Sequence, residues 1–183
     1  MTDHSTKSRL ILAAAELFRM RGYHGVGVTE ILERAKAPKG SLYHHFPNGK
    51  ADLAIVAAEW ASDGMVGIID EAFREAPTYA DGATTLCHKL AKFFDLSGGW
   101  DGCPVSSILL DGPENDAFRA QVARSYETWV ARVAQHGTRL GLAPEEARFR
   151  AETLLIAIQG AWTLARARKS SDVLRGIPAR ILA

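Results

Sequence analysis

The chain is poor in the features that mark several protein classes. It holds two cysteines among 183 residues, Cys87 and Cys103, too few for a disulfide framework. Both thiols are expected to be buried, in a reducing compartment. No stretch of 18 uncharged apolar residues occurs, which argues against a membrane span. Asp3 sits near the start and no long apolar segment precedes the first helical pattern. A secretory signal is therefore not expected, and a cytoplasmic location is. There is no low-complexity run. No convincing period-two alternation marks a strand, so the fold class expected is all-α. No metal-spaced cluster and no nucleophile motif stands out, so no metal, cofactor or catalytic residue is assigned.

What is present is ordinary in bulk and uneven in place. Apolar residues make up 47% of the chain and charged residues 23%, as in globular proteins generally. The length suits one sizeable domain or two small ones. The net charge of +1 hides an asymmetry: residues 1–50 hold eight Lys/Arg against four Asp/Glu, and the remainder 14 against 17. Four of the six histidines also fall in the first 50. A basic head on a mildly acidic body suggests that the head meets a polyanion. Such a difference is common by chance, so the weight rests on motifs.

The spacing predicts a first helix over about Thr6 to Arg21. Leu10, Ala14, Leu17 and Phe18 form its apolar stripe, Ser5 or Thr6 its cap and Gly22 its end. Gly22, Gly25 and Gly27 lack the spacing of a dinucleotide fingerprint and read as loop punctuation. A second helix is predicted over Val28 to Ala35, with Val28, Ile31, Leu32 and Ala35 inward. After a short turn at Lys36 and Ala37 comes the stretch APKGSLYHHFPNGK. It predicts a helix over Pro38 to Phe46 pinned by Leu42 and Phe46. A helix this short cannot stand alone; two apolar anchors would leave a polar, basic, aromatic face outward. Two short helices joined by a tight turn make a helix-turn-helix candidate, and nucleic acid is the natural target of such a probe.

A fourth helix is predicted from Lys50 to about Ala76, with Leu53, Val56, Ala57 and Trp60 on one face and Gly64 and Gly67 as weak points. Later helices are expected from Tyr79 through Phe94, over a short apolar segment from Cys103 to Leu110, from Asn115 to Leu140, from Pro144 to Arg168, and from Val173 to Leu182 with a kink or stop at Pro178. In the penultimate one, Leu154, Leu155, Ile156, Ile158, Ala161, Trp162 and Leu164 are the apolar set. The expected division is a helix-turn-helix head over 1–50, a connecting helix over about 50–76, and a body over 77–183.

The first 60 or so residues resemble the DNA-binding domain of the TetR family of bacterial regulators. The matching features are Ala14, Leu17 and Phe18, Gly22-Tyr23, Thr29 with Ile31, Ala35, Gly40, Leu42-Tyr43, Phe46 and Lys50. APKGSLYHHFPNGK and Gly102-Cys103-Pro104-Val105 resemble a subgroup of drug-resistance and flavonoid-responsive repressors. Two positions depart from the pattern: Gly27 stands where a Ser or Thr cap is usual, and Lys36 where the turn often has Gly. The resemblance implies an all-α DNA-binding regulator and not an enzyme. It implies phosphate contacts by Thr29, Tyr43, His44 and Lys50, with Lys36 as a further phosphate ligand. It implies base reading by Lys39, Ser41 and His45, with Gly40 allowing close backbone approach.

The resemblance also implies a ligand-binding, dimerising body. Its lining candidates are Phe93, Phe94, Trp100, Cys103, Leu109, Tyr126, Trp129 and Trp162, all of which could instead be plain core. Asn115, Gln121, Tyr126, His88 and Gln159 are possible polar anchors. The last two helices are expected to form a four-helix bundle across a two-fold axis, giving a homodimer on double-stranded operator DNA. The effector is a small apolar or aromatic molecule of unknown identity. Two rivals stay open. A small helical enzyme using Cys103 or His88 would need convergent titratable groups. A helical adaptor would show no retention on heparin or operator fragments.

Overall fold

The computed structural model describes residues 5–98, 103, 105–110 and 115–182, and among these it is all-helical, with no strand. Among the described residues ten helices follow one another: α1 Thr6–Arg21, α2 Val28–Arg34, α3 Ser41–His45, α4 Lys50–Phe73, α5 Tyr79–Leu96, α6 Ser106–Leu109, α7 Asp116–Arg139, α8 Pro144–Arg168, α9 Asp172–Arg175 and α10 Pro178–Ile181. They form two compact units. One comprises residues 1–63 with 102–125, the other 64–101 with 126–183. Among the described residues no helix is long and apolar enough to cross a membrane.

In the first unit, α1 is the central rod. The Ser5 hydroxyl accepts from the Ser8 amide at 3.2 Å and caps its start. Gly22 ends it, its N–H donating to Phe18 O at 2.7 Å. Leu10, Ala14, Leu17 and Phe18 are buried, and α2 and α3 pack on α1. Two exposed ion pairs, Arg34 with Glu16 and Arg21 with Glu30, lie between α2 and α1. Arg9 Nε donates to the Ala35 carbonyl at 3.0 Å. α2 stops at Arg34, one residue earlier than expected, because Ala35 and Lys36 already turn the chain. α6 also lies against α1.

Two expectations fail here in detail. The probe helix spans Ser41–His45 rather than Pro38 to Phe46. Ser41 N–H donates to Pro38 O at 3.0 Å, a three-residue turn that delays the first helical bond. In α4, Trp60 is not inward but 51% exposed. Leu53 and Ala57 are buried as expected, and the buried face of α4 extends from them through Ala54, Ala58, Ser62, Ile69, Ala72 and Phe73. Successive steps of four drift around the helix, which carries Trp60 off the stripe. Gly64 and Gly67 do not interrupt α4.

The second unit is built from the later turns of α4 and α7 with α5, α8, α9 and α10. Thr78 caps α5 by accepting from the Asp81 amide at 3.2 Å, and its hydroxyl donates to the Asp81 carboxylate at 2.6 Å. Phe73 fits only because residue 82 is glycine: a Cβ at Gly82 would lie 2.2 Å from Phe73 Cδ1. Arg139 donates to the Phe73 carbonyl at 2.7 Å, and Asp70 pairs with His136 at 2.8 Å. Ile156 and Leu164, expected in the apolar core of α8, are 68% and 45% exposed; Ala151, Leu154, Leu155, Ile158, Trp162 and Ala165 are its buried face. The last expected helix is two four-residue turns, α9 and α10, separated before Pro178.

Candidate nucleic-acid interface

α3 owes its attachment to two side chains. Leu42 and Phe46, one turn apart, are 0% and 2% exposed, whereas Tyr43 between them is 62% exposed. Neighbouring residues on a helix diverge by about 100°, so burying one pair turns the rest outward. His44 is exposed and His45 half-buried, with their rings edge to face at 4.8 Å. The Ser41 hydroxyl is half-buried and donates to Pro38 O at 2.6 Å. That bond uses its proton and leaves its lone pairs to accept from a base edge or water. Gly40 and Lys39 are exposed. A Cβ at Gly40 would meet nothing within 4 Å, so nothing within the chain itself requires glycine there.

Lys36 takes the left-handed conformation, φ 49°. This closes the α2–α3 turn, where the Ala37 amide donates to Leu32 O at 2.9 Å. The turn geometry that a glycine would have served is therefore kept by a lysine, at a conformational cost, and its exposed ammonium is added to the surface. Gly27 precedes α2 in extended conformation and gives it no side-chain cap; exposed Thr29 is the second residue of that helix.

Between α3 and α4 the chain turns on Gly49, at φ 65°. A Cβ there would also lie 3.0 Å from Tyr43 Cε1, so the glycine is what lets the Tyr43 ring lie along the turn. Lys50 follows as the first residue of α4, where unpaired backbone N–H groups and the positive end of the dipole collect. The Asp52 carboxylate folds back onto Asn48, accepting from its amide at 2.9 Å and its side chain at 3.1 Å. The Lys50 ammonium lies 4.1 Å from the centroid of the Tyr23 ring and 5.9 Å from that of Phe18. Burial against these rings pulls its pKa below the ordinary lysine value. This seat was not legible in the sequence, although Gly22-Tyr23 and Lys50 were each singled out there.

The body candidates fall into separate groups. In the second unit Phe93 and Phe94 meet Trp162, at 6.2 and 5.7 Å, and Tyr126 meets Trp129 at 5.2 Å. Trp129 is fully buried, while Phe93 and Tyr126 are half-buried. Cys103 and Leu109 are buried in the first unit. Trp100 lies outside the described residues. Of the polar anchors, Asn115 caps α7, its side-chain oxygen accepting from the Ala117 amide at 2.8 Å. Gln121 is buried and donates to Ser125 Oγ at 3.4 Å. Gln159 is half-buried, and His88 points to solvent. Cys87 is buried and its thiol is pushed up to about 12. Among the described residues no three His, Cys, Asp or Glu converge as metal ligands.

A three-helix head with a short, outward-faced second probe helix and cations at its rim defines a helix-turn-helix DNA-binding protein. Comparison with known proteins makes this specific. Residues 10–57 match the model for the bacterial regulatory proteins of the tetR family, and residues 80–180 that for the C-terminal domain of LmrA/YxaF-like transcriptional regulators. The chain is 28% identical over 170 residues to the HTH-type transcriptional regulator YxaF of Bacillus subtilis, covering 92% of this chain and 89% of that one. It is 30% identical over 173 residues to the HTH-type transcriptional regulator Rv0196 of Mycobacterium tuberculosis, covering 89% and 85%. The crystal structure of a regulatory protein TetR from Rhodobacter sphaeroides superposes with a TM-score of 0.81 at 29% identity, over 95% of each chain. The chain belongs to the TetR family of DNA-binding transcriptional regulators, whose members are not enzymes.

Proposed function

We propose that the chain works as a homodimeric, ligand-responsive repressor in the cytoplasm. Residues 1–50 are the operator-reading head, α4 the connection, and residues 77–183 the effector-binding and dimerising body. Two α3 helices enter successive major grooves about 34–36 Å apart, or a multiple of that, on a palindromic operator. The observation that carries this is the division of α3 and its C-cap into buried Leu42 and Phe46 and a wet face bearing Tyr43 and His44. Thr29, Lys36, Tyr43, His44 and Lys50 contact phosphates. Lys39, Ser41 and His45 read bases, with Gly40 admitting the backbone to the groove.

The dimer forms on α8. Phe149, Ile156 and Leu164 are 71%, 68% and 45% exposed and share one face with Gly160, at steps of seven, four and four. A contiguous exposed apolar stripe of this kind is the usual mark of an interface, and C2 pairing is the commonest closure. Because α9 and α10 are single turns, α8 supplies most of the contact area in place of a two-helix hairpin. A small apolar or aromatic effector binds in the second unit, among the Phe93–Phe94–Trp162 and Tyr126–Trp129 clusters. It favours a head separation that no longer fits the operator. By reciprocity, operator DNA weakens effector binding by the same factor.

Genomic fragments selected by the immobilised protein supply the DNA for the test. Tyr43→Ala and Lys50→Ala should weaken binding about equally on every fragment, and Lys39→Ala should change which fragments are preferred. With roughly 6–10 phosphate contacts per dimer, affinity should fall about 10³–10⁵-fold between about 50 and 200 mM salt. Unaltered binding by all three variants would refute the assignments.

A further inference from the structure

Tyr23 stands at the centre of four side chains drawn from four parts of the first unit. Its ring stacks on Phe18 of α1 at 5.7 Å and 28°, meets His24 edge-on at 5.5 Å, and meets Phe118 of α7 edge-on at 5.5 Å and 71°. The Lys50 ammonium of α4 covers its face at 4.1 Å. Phe18 and Phe118 are 0% and 1% exposed, so the ring is held by two fixed partners, and the Lys50 ammonium lies beside both Tyr23 and Phe18, 4.1 Å from the one ring centroid and 5.9 Å from the other.

We propose that Tyr23 is a positioning residue for DNA binding: its clamped ring seats the Lys50 ammonium so that it meets a DNA phosphate without first losing the freedom of a long side chain. This rests on the reading of Lys50 as a phosphate contact. The physical argument has two parts. A free lysine must surrender the rotamer freedom of a long, flexible side chain on forming one contact. A ring face under the ammonium favours one placement electrostatically and, unlike a carboxylate, does not neutralise the charge. The ring screens one side of the ammonium, leaving its other N–H donors for the anion. The hydroxyl of Tyr23 has no part in this, so the ring alone should suffice. Phe118 acts one step further back, by holding the ring.

Two measurements test the proposal on the full chain. The first needs no DNA: in NMR spectra the Lys50 ε-methylene protons should be shifted upfield by the ring, in the native protein and in Tyr23→Phe, and not in Tyr23→Leu. The second is a double-mutant cycle read by binding to a random-sequence DNA duplex of about three helical turns at low salt, where attraction to phosphate dominates. Tyr23→Leu should weaken binding about two- to fivefold, and Tyr23→Phe not at all. In a Lys50→Gln background Tyr23→Leu should cost nothing further. An equal loss in both backgrounds overturns the proposal, since the ring then supports only the fold. So does an unshifted Lys50 signal, which leaves the phosphate contact itself intact. If instead Lys50→Gln binds the duplex like the native protein, the phosphate reading of Lys50 fails and takes this proposal with it. Tyr23→Phe keeps the test alive should Tyr23→Leu fold poorly.

Discussion

Lys36 shows how one residue can serve two ends at odds. At φ 49° its Cβ crowds the following carbonyl, which costs roughly 1–2 kcal/mol for an L-residue. Glycine would avoid that clash but would enlarge the freedom of the unfolded chain, which offsets about 0.5–1 kcal/mol. Lys36→Gly should therefore raise stability by up to about 1 kcal/mol, a Tm gain of about 2–4 °C for a chain of this size. The same change should lower the salt slope of DNA binding by about one unit per head. Differential scanning calorimetry and a salt titration read the two effects. A lower Tm would mean the turn is held by something other than the backbone geometry described here. Position 36 could be flagged in the sequence because a lysine stood where glycine was expected. That its φ is positive could not, since the sign depends on how α2 and α3 both dock on α1. The seat of Lys50 on Tyr23 is hidden for a similar reason: the two are 27 positions apart and meet through a side-chain rotamer. Leu42 and Phe46, by contrast, were readable, because a spacing of four on a short helix leaves one inward face.

At the scale of elements, lengths and faces were legible where one neighbour sets them and illegible where two compete. α1 and α8 begin and end at residues their caps announce, Ser5 and Gly22 for one, Pro144 and basic Arg166 and Arg168 for the other. α3 came out shorter because the turn at Pro38 competes with the helix for the Ser41 amide. The tail from Asp172 broke into two turns because Pro178 cannot donate to a continuing helix. α8 is the more instructive case. Its apolar residues exceed what one face can bury, so hydrophobicity alone could not say which stayed outside. The structure leaves out Phe149, Ile156 and Leu164, all on one side. Ile156→Glu on that stripe should leave the monomer's stability within about 0.5 kcal/mol, as exposed changes usually do, yet place two like charges across a two-fold contact. Light scattering behind size exclusion should show a dimer becoming a monomer. Operator affinity should collapse to that of a single head. A variant that stays dimeric would move the interface elsewhere.

For the molecule as a whole, the distribution of perturbed groups fixes which side of neutral pH is the weaker. On the acid side Glu71, Asp95 and Glu127 are each held below the usual carboxylate range, chiefly by hydrogen bonds from Lys89, Ser171 and Arg148 respectively. Their contribution is present above the unfolded carboxylate pKa and is lost as pH falls through the folded one. All three lie at the surface, where water and salt screen such pairs, so acid loss should be shallow. On the alkaline side the most strongly raised groups are two interior ones of α5. Burial raises the Tyr79 hydroxyl and lifts Cys87 from 9.0 to about 12. A raised pKa in an acid that is neutral when protonated means the folded state binds its proton more tightly. Below about pH 9 both states hold the thiol proton and nothing is lost. Above it the unfolded chain ionises while the folded chain does not, and stability declines towards pH 12. Melting curves recorded at pH 8, 9.5 and 11 should therefore fall steeply. Cys87→Ala, although less stable at every pH through its cavity, should fall less steeply over that interval, because one of the two linked protons is gone. Parallel curves for the two proteins would show that Cys87 ionises as readily inside the fold as outside it, which its burial at 0% exposure does not permit.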